Sequence, residues 1–559
     1  MIILSLYEVH NASAALSIDG QIIGAELEER ITGKKNQMGL PIKSAISLLQ
    51  RFSVKPEQID FIYVLNQSFD LNGIANIALS RMSDYTVTDW HTENEFYWKP
   101  KLVEKKSVEP SYYSLMCNKT SYEPWSGHSV KYSFTEELNK HLLNHDAKKA
   151  TEIFNMSRKD VISKGLGVRL SKIRFVEHYI THHYHAFYSS KELDCSNENS
   201  LIVHAEGDGG IYNHAVSRFT NVSGINILTG TNKFGLGRLY QWMTLYLKMK
   251  PYAHEYKMMG LAPFSEHLID EKSIVELNSF FKNNDAGMLV NDQTPSDYFY
   301  TFANIFACTR FDVVASCIQK VVEKNLVNTF SNLSKLYGSS AFYYGGGVAM
   351  NVKANKAIFD ADEVKSLSVP FAPADEGNVL GACYYGFEKY QLSSNKVVTL
   401  SHKGLVTPYL GSGMKNDIQI ESLKNEFKIC DIGLNTDNVC MLLMEGYIGA
   451  IARGSYEFGQ RALGNRSIVG LPSTKGVVHK INTAIKMRDF WMPFAPSIID
   501  CDAEKALINF NPNCPYMSSS CAVNPIYYDL MDGALHGADK TCRPHVVNQT
   551  SNSWYYKLL

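Results

Sequence analysis

The chain opens on apolar runs separated by small polar breaks. Ile2–Tyr7 is apolar, His10-Asn11-Ala12-Ser13 is polar, Ala14–Ile18 is apolar again, Asp19-Gly20 is a hairpin signal, and Gln21–Glu26 follows. Short apolar runs bounded by turn residues predict strands, here a three-strand meander. The plan recurs with Leu201–Ala205, the turn Glu206-Gly207-Asp208-Gly209-Gly210, then Tyr212–Phe219 and Ile225–Leu228. Two such copies, each followed by helices, fit a duplicated α/β domain with a nucleotide cleft between the halves, and equally two unrelated meanders. Helical spacing predicts helices over Ile42–Arg51, Leu239–Met249 and Phe311–Leu336. Further strands are expected at Phe61–Leu65 and Ile173–Val176.

Between those two strands lies an aromatic, polar insertion, roughly residues 75–165, with Tyr85, Trp90, Tyr97, Trp98, Tyr112, Tyr113, Tyr122, Trp125 and Tyr132 interleaved with lysines. Its rings could stack on a sugar or a base, or pack as a lid. A polar stretch around 389–407 breaks the apolar pattern and marks a boundary. The expected division is a first domain at 1–390, a linker at 391–407 and a second domain at 408–559.

Composition narrows the class. The 559 residues carry 55 Lys+Arg against 56 Asp+Glu, so no global basic field points to nucleic acid or an anionic membrane. The N-terminal apolar run lacks a basic leader and reads as a strand, and no apolar run is long enough to span a bilayer. Eleven scattered cysteines without a C-x-x-C pair argue against a disulfide framework, and a cytoplasmic location is expected. Only 14 of the basic residues are arginine, yet Arg453, Arg461, Arg466 and Arg488 share one 36-residue window. Guanidinium forks grip phosphate and carboxylate, so an anion site is expected there, against the alternative of structural ion pairs.

Three constellations carry chemistry. His178 and His182 stand four apart, so a helix would put both imidazoles on one face toward a metal, with His183 and His185 off that face. A further ligand would come from an acid at a strand end, with Glu206, Asp208 and Asp375 the candidates; such a set suits iron, manganese or zinc. Gly345-Gly346-Gly347 closes an apolar strand before Asn351 and a helix, either to admit a phosphate or to allow a tight crossing. The third runs from Gly454 through Glu457, Gly459, Gln460, Arg461, Gly464 and Arg466, then Asn482, Lys486, Arg488 and Trp491–Pro496, where several cations could converge on an anion.

These motifs resemble, in order along nearly the whole chain, the O-carbamoyltransferases of the nodulation-protein NodU, cephamycin and tobramycin type. The matching segments are His10–Ala15, Glu26–Arg30, the His178/His182 pair, Glu255–Ala262 with Lys257, Gly345–Asn351, Asp375–Ala382 and Glu457–Pro496. The resemblance implies an α/β protein with a duplicated actin-like N-terminal domain, similar to the tRNA threonylcarbamoyl-transferases, and a YrdC-like C-terminal domain. It implies an ATP-dependent enzyme that makes carbamoyl-AMP from carbamoyl phosphate and ATP with Mg²⁺, then carbamoylates an acceptor hydroxyl. Arg461, Lys486, Arg488 and Arg543 fall to carbamoyl phosphate. His178, His182, Asp375 and Glu206 or Asp208 fall to Fe(II) or another divalent metal, His10 to the catalytic base, and Lys257, Gly345, Gly346, Gly347 and Asn351 to nucleotide.

Departures from the family pattern are Glu206 where an Asp is usual, Gln460 where Pro is usual, and an end at Leu559 short of a further segment in relatives. From that last departure, a separate polypeptide supplying the segment is one expectation. The acceptor is expected to be a sugar or natural-product hydroxyl, or a 5-hydroxymethylated pyrimidine in DNA. A homodimer and no membrane partner complete the expectation. The alternatives are a tRNA threonylcarbamoylation-type enzyme and a non-catalytic metal- or nucleotide-binding partner.

Overall fold

The computed structural model describes residues 1–81, 86–104, 106, 112–119, 123–193, 197–291, 298–394, 396–414, 426–429 and 435–559. The chain divides into two compact units, Met1–Val406 and Thr407–Leu559.

The first unit is built on two five-stranded sheets. In the first, β1 (Ile2–Tyr7), β2 (Ser13–Ile18), β3 (Gln21–Leu27), β4 (Phe61–Leu65) and β5 (Ile173–Val176) are ordered β3-β2-β1-β4-β5. The meander β1–β3 is antiparallel, while β1, β4 and β5 run parallel. The second sheet repeats this with β6 (Leu201–Ala205), β7 (His214–Thr220), β8 (Gly224–Thr231), β9 (Ala341–Gly345) and β10 (Ser366–Ser368), ordered β8-β7-β6-β9-β10. The pairing senses match strand for strand, and even the register shift recurs, at Leu16/Ser17 and at Val216/Ser217. This is the duplicated actin-like α/β plan. The parallel strands are buried along most of their length, which is why they read as plain apolar runs. The predicted helices are present as Ile42–Arg51, Leu236–Tyr246 and Phe311–Tyr337.

Each repeat ends in a helix, His178–Tyr188 after β5 and Asn378–Ser393 after β10. The two lie against each other so closely that a Cβ on Gly381 would stand 1.9 Å from the Thr181 carbonyl oxygen. Only a residue without a side chain permits that approach, and it brings the N-terminal ends of both helices beside the turns that follow β1 and β6.

Several of the insertion's described aromatic residues are spent on packing and hydrogen bonding. Tyr112, Tyr113 and Tyr132 are buried, and Tyr113 and Trp125 both donate to Asn139 Oδ1, at 2.7 and 2.9 Å. Tyr85 and Tyr122 lie outside the described residues. The helix Ala147–Leu166 is tied inward by Arg158, a fully buried guanidinium paired with Glu8 and donating to the backbone oxygens of Leu65 and Asn66. Tyr132 completes the knot by donating to Glu8 Oε2 at 2.8 Å.

The stretch expected as a linker at 391–407 begins inside the second closing helix and then stays with the first unit. Lys403 Nζ donates to the carbonyls of Phe187 and Ser190, and the Gly404 N–H to that of Tyr188, sealing the end of the His178–Tyr188 helix. Among the described residues the second unit holds three small sheets. They are Gly449–Ala452 against Arg466–Val469, Ser497–Ile499 beside His545–Val547, and Leu507–Ile508 with Cys521–Val523 and Thr541–Cys542. Among the described residues no helix is long and apolar enough to cross a membrane.

Removing Arg158 strands a buried carboxylate, which costs about 3–5 kcal/mol. Arg158→Leu should therefore lower the melting temperature by several degrees or more; a melting curve that matches wild type would show that the Glu8–Arg158 pair does not hold the insertion.

Candidate metal centre and anion site

The turn after β6 places Glu206, successive turns at the start of the His178–Tyr188 helix place His178 and His182, and the short turn Asp375–Gly377 places Asp375. All four are buried, and their ligand atoms lie within 4.8 Å of one another. His178 Nε2 is 2.6 Å from Glu206 Oε2 and 3.1 Å from His182 Nε2, which in turn is 3.0 Å from Glu206 Oε1. Asp375 Oδ1 stands 3.5 Å from both ring nitrogens. Two imidazoles and two carboxylates facing one small space are a donor set that fits a divalent metal. Asp208, the alternative to Glu206, does not join them. Its side chain is 79% exposed and pairs with Arg238 at 2.8 Å.

Neighbours aim each ligand. Asn66 Oδ1 accepts from His178 Nδ1 at 2.8 Å, leaving Nε2 to face the centre. Tyr7 donates its hydroxyl to Asp375 Oδ2, and His10 Nδ1 lies 3.5 Å from the same oxygen, so Oδ1 turns inward. The Gly347 N–H donates to Glu206 Oε1 at 3.1 Å. That contact needs the glycine turn, for Gly346 sits at φ +101 and a Cβ there would lie 2.3 Å from the Ala205 carbonyl oxygen. His204 stacks on His182 with centroids 4.9 Å apart and reaches Glu206 Oε2 at 3.4 Å, while burial pushes it down to about 4. Of the off-face histidines, His183 bonds Ser217 and His185 bonds Ser189 and the Phe371 carbonyl.

The other nucleotide candidates adjoin this site. Gly345 ends β9 and Gly347 opens the short helix that leads to Asn351. Asn351 caps the helix Val352–Phe359, accepting from the Ala354 N–H at 3.0 Å, and exchanges hydrogen bonds with Gln319. Lys257 is half-buried on the helix Glu255–Leu261, just after Tyr252, whose ring centroid is 6.2 Å from that of His10.

Electrostatics binds the four ligands together. Burial opposes a charge on His178 and His182, but the carboxylates, Glu206 foremost, outweigh it and hold His178 well above the ordinary histidine range and His182 above it. Burial also opposes ionised Glu206, yet His182 and His178 hold it well below the usual carboxylate range. Burial and Glu206 both oppose a charge on Asp375, which His178 nonetheless keeps low. Without a metal, protons on the imidazoles balance the acids, and an incoming ion must displace them. Affinity for Mn²⁺ should therefore rise with pH through the neutral range, with proton release visible by calorimetry in buffers of different ionisation heat. An affinity that does not change with pH would contradict the assignment.

In the second unit the arginine window separates into two jobs. Glu457 is buried and accepts the backbone N–H groups of Leu463, Asn465 and Arg466 on one oxygen, at 2.8, 2.7 and 3.0 Å. The Arg466 guanidinium then donates to the carbonyls of Arg453, Gly454 and Asn465, and Arg453 lies over the Trp554 ring at 4.2 Å. Those two are braces. Arg461 and Arg488 come near Arg543, whose Nε is buried without a hydrogen-bond partner, and Arg488 also donates to the Pro493 carbonyl at 3.2 Å and lies over the Phe494 ring. Burial, then Arg461 and Arg488, push Arg543 well below the ordinary arginine range. A guanidinium keeps its proton in a folded protein, so the crowding is one that a bound anion would relieve. Lys486 is exposed two residues before Arg488.

Sequence reasoning missed Asn66, Tyr7, His204 and Asn378. Their only signal was position, each within a few residues of a strand end or a proposed ligand.

Comparison with known proteins agrees with this geometry. Residues 2–384 match the model of the carbamoyltransferase N-terminus, and residues 440–559 that of the carbamoyltransferase C-terminus. An uncharacterized protein of Methanocaldococcus jannaschii is 25% identical over all of this chain and 89% of its own length. Nodulation protein NolNO of Sinorhizobium fredii is 24% identical over 99% of this chain and 72% of its own. Among solved structures, the activator of 2-hydroxyisocaproyl-CoA dehydratase from Clostridium difficile is 12% identical over 72% of this chain and 100% of that one. Its TM-score is 0.31, so the fold assignment rests on the repeated strand order instead. With both family models matched in order across most of its length, the chain belongs to the carbamoyltransferase family and is a carbamoyltransferase.

Proposed function

We propose that this carbamoyltransferase is ATP-dependent and works in two half-reactions. In the second unit, water releases phosphate from carbamoyl phosphate to leave carbamate, and a carbamate oxygen attacks the α-phosphorus of ATP, held with Mg²⁺, to give carbamoyl-AMP and pyrophosphate. In the first unit, an acceptor hydroxyl attacks the carbamoyl carbon and AMP leaves.

The observation that carries the reading is the meeting of Arg461, Arg488 and Arg543. A partly desolvated Arg543 with two further guanidiniums within electrostatic reach favours a compact multiply charged anion and would spread the charge that develops on a leaving phosphoryl group. Lys486, exposed on the same loop, would add a mobile positive charge. His10 supports the transfer step. It follows β1 directly, lies against Asp375 and Tyr252, and is placed to take the proton of an acceptor hydroxyl.

The two-histidine, two-carboxylate set suits iron(II) or manganese, which when bound would supply positive charge toward nucleotide phosphates. The Glu206 and Gly347 contact sets the glycine turn beside that centre, so the nucleotide and the metal would share one cleft. Around Tyr252 the guanidiniums of Arg81 and Arg238 and the Asp208 carboxylate make a polar surround, which suits a hydroxyl-rich acceptor such as a sugar. A hydroxymethylated pyrimidine in DNA draws less support, since the net charge is −1. Cytoplasmic location and a homodimer remain expectations from sequence.

The test is pyrophosphate release by the purified chain with and without carbamoyl phosphate. Release that depends on carbamoyl phosphate is expected. Arg461→Ala should cut it by about a hundredfold or more, as loss of a phosphoryl-binding cation does. His10→Ala should leave release intact and stop transfer to an acceptor. Release without carbamoyl phosphate, or transfer unaffected by His10→Ala, would overturn the division of labour. No release at all would favour a non-catalytic partner.

A further inference from the structure

Asn378 opens the second closing helix three residues after Asp375, and it is fully buried. Its amide group meets His182 Nε2 at 2.9 Å. That ring nitrogen is the one that faces Glu206 Oε1 at 3.0 Å and Asp375 Oδ1 at 3.5 Å. The amide nitrogen is the atom that meets His182, and the amide oxygen is buried with no hydrogen-bond partner.

An inward-facing amide N–H is unsuited to a place where a cation would sit, because its hydrogens present the positive end of the dipole. A buried carbonyl oxygen with no donor is equally unfavourable. A half-turn about the terminal side-chain torsion exchanges the two groups with almost no change of shape, and hydrogen-bond chemistry decides between the two settings. With the oxygen inward, Asn378 serves the centre in both of its states: it accepts from His182 Nε2–H when no metal is present, and offers a lone pair to an ion when one is bound.

Resting on the reading of His178, His182, Glu206 and Asp375 as a metal centre, we propose that Asn378 is a fifth protein ligand, through its amide oxygen. The donor set becomes two nitrogens and three oxygens. A closed tetrahedral zinc site has no room for the fifth donor, whereas ions that take five or six ligands, such as Fe(II) and Mn(II), accommodate it. Asn378 thus biases which metal the cleft retains.

The experiment titrates the full-length, metal-stripped chain with Co²⁺, following its visible absorption, and with Mn²⁺ by calorimetry. Asn378→Ala should weaken both ions by about tenfold or more, in line with losses seen around metal sites. Its Co²⁺ spectrum should intensify, the mark of lower coordination. Asn378→Asp, which keeps an inward oxygen, should retain the wild-type spectral shape. If Asn378→Ala binds as tightly as wild type, or more tightly, with an unchanged spectrum, the ligand role is wrong and the amide only packs against His182. Should the alanine variant fail to fold, Asn378→Ser is too short to reach the centre and is read by the same two outcomes. His178→Ala separates this failure from a deeper one: Co²⁺ binding that survives that change would overturn the centre itself.

Discussion

Two imidazoles and two carboxylates buried in one space constrain everything around them. A lone buried charge is expensive, and these four groups are tolerated only because each is paired with the others. The pairing works only if the backbone brings their tips within a few ångströms. That demand falls on both repeats of the first unit at once: one supplies the histidine helix, and the other supplies the turn bearing Glu206 and the turn bearing Asp375. The glycine contact between Gly381 and Thr181 sets the closeness of the two closing helices. Asn66, Tyr7 and the Gly347 N–H set the direction of each ligand. The buried Glu8–Arg158 pair extends the same chain of support outward, because Arg158 holds the Asn66 carbonyl whose own side chain orients His178.

The second unit solves a related problem with opposite charge. Here several guanidiniums must lie close together, which requires something to hold the loop that carries them. Glu457 does so by collecting three backbone N–H groups, and Arg466 by spanning three carbonyls. With those bonds made locally, Arg461 and Arg488 come within electrostatic reach of Arg543.

Much of this was legible in the sequence, for physical reasons that differ by element. β1, β4 and β6 match the apolar runs because strands buried on both faces carry little else. His178 and His182 were legible because helical spacing fixes which residues share a face. The duplication stayed open in the sequence; it is settled by strand order and by matching register shifts, which no local pattern encodes. Glu206 and Asp208 could not be separated, since both follow the same strand; the backbone turn sends one into the cleft and the other to Arg238. Nor could spacing tell a bracing arginine such as Arg466 from one that comes near Arg543, such as Arg461. The polar stretch at 391–407 looked like a linker because it is polar, yet Lys403 and Gly404 spend that polarity on the end of the histidine helix.

The central claim is that the buried cluster exists to hold a metal ion rather than to pair with itself. The most direct measurement is the metal content of the purified chain, with its melting temperature before and after chelation and on return of Mn²⁺ or Fe²⁺. An ion bound only by the folded state adds about 2.7 kcal/mol when present at about a hundred times its dissociation constant. The account predicts one divalent ion per chain and a melting temperature that falls on chelation and recovers on reloading. In Glu206→Gln the reloading effect should be lost. A chain that holds no ion and melts at the same temperature with or without added metal would contradict it.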